Sequence, residues 1–139
     1  MTGKFNNVYV KDTALVAGRL EKEGNLGEYF DKSYDDFTID KSVELSEVKM
    51  NKDVLKIILK KTKLKKEEID LLVGGDLLNQ ICATSYGAAY YNRPFLGVFS
   101  ACATSMESII VASSFLENNY ISSAICFTSS HNLASEKQF

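Results

Sequence analysis

The chain has 139 residues, 45% hydrophobic and 24% charged, the balance of one soluble globular domain long enough to bury a core. A net charge of −2 argues against nucleic acid as the main partner, and no run reaches the roughly 18 apolar residues of a membrane span. Cysteines 82, 102 and 126 lack Cys-x-x-Cys spacing, which points to free thiols in a reducing, cytosolic setting and gives no metal framework.

In chain order, Met1 to Asn7 carries no apolar core of a signal peptide. Residues 8–17 are rich in strand formers, and Gly18 ends the run. From Arg19 to Asp40 the signals are mixed, and the expectation is a connecting segment with short helical turns. Its acids Asp31, Asp35, Asp36 and Asp40 lack the spacing of a calcium loop and read as a solvated face. Leu45, Val48, Leu55, Ile58 and Leu59 then form a helical stripe, with Ser42 or Ser46 available as a cap. The lysines from Lys56 to Lys66 complement the negative end of that helix and are offset by Glu67, Glu68 and Asp70. No aromatics interleave with them to stack bases.

Ile69 to Val73 reads as a strand ended by Gly74-Gly75, with Asp76 just beyond. A helix rich in small residues follows from Asn79 to Asn92, stopped by Arg93-Pro94 because the residue before proline is pushed out of helical geometry. Phe95 to Phe99 has the length and content of a buried strand. A few small residues, Cys102 among them, lead into a helical pattern at Met106, Ile109, Ile110, Ser113 and Leu116. Asn118-Asn119 ends it, and residues 123–128 supply a further strand before a polar exit through Ser129-Ser130-His131-Asn132.

Alternating strands and helices with short links predict crossover units, hence an α/β fold with a parallel sheet covered by helices. Ligands in such sheets sit beyond the carboxyl ends of the strands. Asp76, Cys102 and the segment Ser129 to Asn132 each follow a strand end, so they converge on one rim. A thiol at a strand–helix junction meets unpaired N–H groups and the positive end of a helix dipole, which favour either a thiolate nucleophile or a bound carboxylate. Cys102 is also open to the blander role of a buried structural cysteine. Asp76 either caps the next helix or faces a ligand, and Asn79 and Asn132 either cap or orient one. His131 is the single histidine, so no two-histidine relay or metal site can be built. Cys82 and Cys126 read as inert core residues.

Three blocks carry a family resemblance: Gly-Gly-Asp-Leu-Leu-Asn-Gln-Ile at 74–81, the stretch from Pro94 to Glu107 around Ser-Ala-Cys-Ala-Thr-Ser-Met, and Thr-Ser-Ser-His-Asn at 128–132 with Ser-Glu-Lys-Gln-Phe at 135–139. Together with Gly-x-Leu-x-x-Tyr-Phe-Asp near residues 24–31, the set resembles the stage V sporulation protein AD family of spore-forming bacteria. The wider relationship is to thiolases and ketoacyl synthases, whose acyl nucleophile matches Cys102. The resemblance implies a thiolase-like fold of two similar halves, with residues 1–139 as the N-terminal half and the second half absent, as in a truncated chain or fragment. In thiolase relatives the catalytic histidines come from that second half, so catalysis by this chain alone is not expected.

The implied function is non-catalytic binding of dipicolinic acid, pyridine-2,6-dicarboxylate, for uptake into developing spores. It would act with membrane-bound stage V partners, from the cytoplasmic side at the forespore or spore inner membrane, without a cofactor or resident metal. Cys102, Asp76, His131 and Asn79 are the expected ligand contacts, and a calcium ion carried with the ligand is one way to accommodate Asp76. The rival readings are an acyltransferase using Cys102 and a truncated remnant without independent function. A homo-oligomer, or a chain completed by a second half, is the expected assembly.

Overall fold

A computed structural model describes residues 4–78 and 81–136, with the side chains of Ser135 and Glu136 outside the description. Expectations that fall on Asn79 therefore lie outside the described residues.

The sheet that organises the fold has three strands, β3 (Leu71–Gly75), β4 (Phe95–Gly97) and β5 (Ala124–Thr128). All pairs are parallel and the order is β4-β3-β5, as the alternating pattern predicted. Travel along the sheet reverses between the two crossovers. With right-handed crossovers this puts α3 (Cys82–Tyr91) and α4 (Thr104–Glu117) on opposite faces.

The strands expected over 69–73 and 95–99 move. β3 runs through Gly74 and Gly75 rather than stopping before them, because both glycines serve close backbone approach. A Cβ at Gly74 would collide with the Phe127 carbonyl, and one at Gly75 with the Val98 carbonyl. The strand formers of residues 8–17 mostly do not pair. Only β1 (Val16–Ala17) does, parallel to β2 (Lys32–Ser33), while Tyr9 and Val10 stand about 80% exposed. The segment from 19 onward holds the short α1 (Arg19–Glu23) and a 3-10 turn at Gly27–Tyr29, as expected.

α2 (Val43–Thr62) is the long helix of the stripe, opened by Ser42, whose Oγ accepts from the Leu45 amide at 3.2 Å. It packs with α3 on one face of the sheet. Leu55, Ala88 and Tyr91 meet Leu72, Phe127 and Ile69 there in the main apolar core. Leu45 departs from the stripe and is exposed.

Lys32 pairs with Asp53 at 2.6 Å, fastening β2 to α2. Asp31 is no free acid: it accepts from the Leu15 amide and from Lys61 at 3.0 Å, and Asp35 pairs with Lys22. The acidic face is thus partly spoken for by lysines of α1 and α2.

On the opposite face α4 lays small residues against the sheet. Thr104, Ser108, Ala112 and Ser113 are buried, whereas Met106, Ile109 and Ile110 of the helical stripe are 44–59% exposed. Among the described residues no helix is long and apolar enough to cross a membrane.

Candidate functional site

Three segments meet at the carboxyl end of β3. Gly75 is the meeting point: its carbonyl accepts from the Ser129 amide at 3.3 Å, and an added Cβ would press on the Thr104 methyl at the start of α4. Asp76 is the next residue. The convergence inferred from strand ends therefore holds for the main chain around Asp76, the Cys102 turn and Ser129.

The Cys102 turn is a 3-10 segment, Ala101–Ala103, running straight into α4. Its closure is local. The Thr104 hydroxyl donates to the Ala101 carbonyl at 2.8 Å and accepts from the Ser100 amide, and the Ser100 hydroxyl donates to Glu107 at 2.6 Å. Ala101 sits in the left-handed region at φ 48°, a conformation that costs a residue with a Cβ about 1–2 kcal/mol. Cys102 itself is exposed, which removes the reading of a buried structural cysteine. Cys82, expected in the core, is also exposed, because it opens α3 on the solvent side while Ala83 and Thr84 take the inward positions. Cys126 agrees with the inert reading: burial pushes its thiol up, and Sγ lies 3.4 Å from the Ser108 carbonyl.

Asp76 is 1% exposed and turned inward. Oδ1 accepts from the Leu78 amide at 2.8 Å and Oδ2 from the Thr84 amide at 2.6 Å, so one carboxylate spans the link between β3 and α3. This is the capping alternative realised in geometry. His131 is half-buried, and its Nε2 lies 3.1 Å from the Phe37 carbonyl. A carbonyl can only accept, so Nε2 carries a proton and donates to it. That ring borders a cavity of about 190 Å³ walled by Arg19, Phe30, Tyr34, Phe37 and Met50, to which neither Cys102 nor Asp76 contributes. The ring of His131 and the thiol of Cys102 thus face different spaces.

A polar group that the sequence reading passed over lies beneath the rim. Glu47 and Asn51 on α2, each 1% exposed, meet Ser129: the Asn51 amide donates to Ser129 Oγ at 3.0 Å, and that hydroxyl donates to Glu47 Oε1 at 2.6 Å. A signal was present, since Val43, Glu47, Asn51 and Leu55 recur every fourth residue and all four are buried. Two polar residues inside an apolar ladder mark a buried network. Burial pushes the Glu47 carboxyl up to about 7; the Ser129 hydroxyl opposes this, and the charge of Asp76 adds to it.

The family model for Stage V sporulation protein AD (SpoVAD) matches residues 2–139. Stage V sporulation protein AD of Bacillus subtilis (strain 168) is 42% identical over 133 residues, which is 95% of this chain and 39% of that protein. The chain therefore spans about two fifths of the length of this curated relative. With a match over nearly every residue, including the rim segments that carry Asp76, Cys102 and His131, this chain belongs to the stage V sporulation protein AD (SpoVAD) family.

Proposed function

We propose that the chain is the N-terminal, thiolase-like half of a sporulation protein and that it binds dipicolinate without catalysis, for uptake into the developing spore. The observation that carries this reading is the exposed Cys102 on the turn that opens α4, at the carboxyl end of a parallel sheet. A flat dianion is favoured by the free N–H groups and positive dipole end of a helix. In this proposal Cys102 forms the floor of the site, Asn79 is a contact from the neighbouring link, and Asp76 holds that link in place through its two backbone hydrogen bonds. His131 belongs to the rim through its main chain, its ring being engaged with Phe37. Stage V membrane proteins as partners, a location at the forespore membrane, and a second half meeting the apolar face of α4 are parts of the same proposal.

Equilibrium binding of dipicolinate to the full chain and to Cys102→Ala tests it. A loss of about tenfold or more in the variant is expected, and equal affinity removes Cys102 from the site. Acyl transfer by Cys102 is the rival. A stable adduct on Cys102 after incubation with acyl-CoA, read by mass spectrometry, would replace the binding reading with it.

A further inference from the structure

α2 divides its surface between two uses. Val43, Glu47, Asn51 and Leu55 form the buried side of the helix. At about 100° per residue, Lys49, Lys52, Lys56, Lys60 and the capping Lys63 all fall within an arc of about 80° on the opposite side. That stripe runs along about 20 Å of the helix. Lys56, Lys60 and Lys63 are exposed and Lys52 is half-buried, while Lys49 turns to the Ile39 carbonyl at 3.2 Å.

The helix dipole explains only part of this, because its effect fades within the last turn, and Lys49, Lys52 and Lys56 lie before that turn. Pairing explains little more. Among the described residues Asp53 is the one carboxylate paired with the stripe, 3.9 Å from Lys56, and Lys32 holds it more closely at 2.6 Å. Of the three acids expected to offset the lysines beyond the helix end, two turn to main chain. Glu68 accepts from the Lys65 amide at 2.7 Å, and Asp70 accepts from the Ser122 and Ser123 amides at 2.8 and 3.1 Å. Glu67 alone is left beside Lys65 and Lys66, so the face keeps an excess of positive charge in a chain whose net charge is −2.

α3 lies alongside α2 and adds aromatics to the same outer surface. Tyr86 and Tyr90, one turn apart, are 65% and 55% exposed. The Lys52 and Lys56 ammonium groups stand 5.0 and 5.5 Å from the centre of the Tyr90 ring. Next to them a cleft of about 570 Å³ is lined by Lys56, Leu59, Lys66, Tyr90 and Tyr91, with no acid on its wall.

The residue types say what this surface fits. An arginine fork would suit one phosphate gripped by two hydrogen bonds, whereas a row of flexible lysine point charges suits negative charge spread over an area. Tyrosine, with an apolar body and a polar tip, belongs at a boundary between water and lipid. The Tyr90 ring is already engaged by two ammonium groups, so it offers no free platform for stacking bases.

We propose that the outer face of α2 and α3 docks on an anionic lipid bilayer. The lysine stripe lies along the headgroups, Tyr86 and Tyr90 sit at the boundary, and the cleft beside Lys56 and Lys66 receives a headgroup phosphate. This contact needs no spanning helix, and it is independent of what the rim at Cys102 binds.

Flotation of the full chain with vesicles tests the proposal. Binding is expected to vesicles of phosphatidylcholine carrying about one third phosphatidylglycerol, to be absent with phosphatidylcholine alone, and to weaken as salt is raised. Lys52→Gln, Lys56→Gln and Lys60→Gln together should lower the affinity by about tenfold or more. Lys4→Gln, Lys11→Gln and Lys41→Gln together, an equal change of charge at exposed lysines off the stripe, should stay within about twofold of the wild type. Equal binding to both vesicle types, or an equal loss in the two triple variants, would overturn the docking surface. So would displacement of the chain from vesicles by soluble glycerol phosphate, which would make the cleft a site for a single small anion. Poly-glutamate binding as tightly as the anionic vesicles would transfer the face to an acidic protein partner. Should the stripe variant fail to fold, acetylation of the wild type decides: Lys52, Lys56 and Lys60 must be shielded on anionic vesicles while Lys4, Lys11 and Lys41 stay reactive, and uniform labelling would overturn the proposal.

Discussion

At the scale of single residues, two acids of equal burial are treated in opposite ways. Asp76 receives two backbone N–H groups, and removing its carboxylate orphans both inside the core. Asp76→Ala is expected to lower stability by about 2–3 kcal/mol in urea unfolding, with Asp76→Asn falling between it and the wild type. Glu47 receives the Ser129 hydroxyl and the His131 backbone N–H, yet it is buried and faces a like charge. Its folded-state pKa lies above the unfolded value, so the native state binds more protons than the unfolded one between about 4.5 and 7. Stability therefore falls as pH rises through that window, by at most about 3 kcal/mol. Glu47→Gln should flatten this slope in unfolding midpoints measured from pH 5 to 8; an unchanged slope would assign it to another group.

At the scale of elements, the sequence was readable where one periodicity ruled and misleading where a residue type served two purposes. The crossover order β3-α3-β4-α4-β5 followed from alternating patterns with short links, and all three strands emerged parallel. Gly74 and Gly75 looked like a terminator because glycine usually marks a turn. Here they are strand residues, chosen so that the carbonyls of Phe127 and Val98 can come close. Residues 8–17 have strand composition, but composition cannot supply a pairing partner, and only Val16–Ala17 found one. At the site, the meeting of three strand ends was legible from topology. The cap made by Asp76 is local, to amides two and eight residues on, and was among the sequence alternatives, whereas the engagement of His131 with Phe37, 94 residues away, is a contact no local pattern encodes. The glycine reading gives its own test. Gly74→Ala forces β3 and β5 apart at the centre of the sheet, and a loss of more than about 3 kcal/mol, or failure to accumulate as folded protein, is expected.

At the scale of the whole molecule, the two helices that open the candidate rim treat the sheet differently. α3 and α2 close one face with a continuous apolar core, whereas α4 spends its small hydroxyl-bearing residues on the sheet and turns Met106, Ile109 and Ile110 outward. The exposed Phe99 precedes this face, and Phe115 follows it on the same helix. A contiguous apolar face of this kind is favoured to leave water against a second surface. In the isolated chain, the expected surface is that of another copy. Ile109→Lys with Ile110→Lys should shift the sedimentation profile toward monomer at equal concentration. The urea midpoint should move by less than about 0.5 kcal/mol in equivalent stability, because both side chains already stand in solvent. A wild-type chain that sediments as a monomer at all concentrations would mean that this face needs no cover. A double variant that unfolds early would mean that the two isoleucines support the domain from within, and that the outward face of α4 is part of its own core rather than a surface for association.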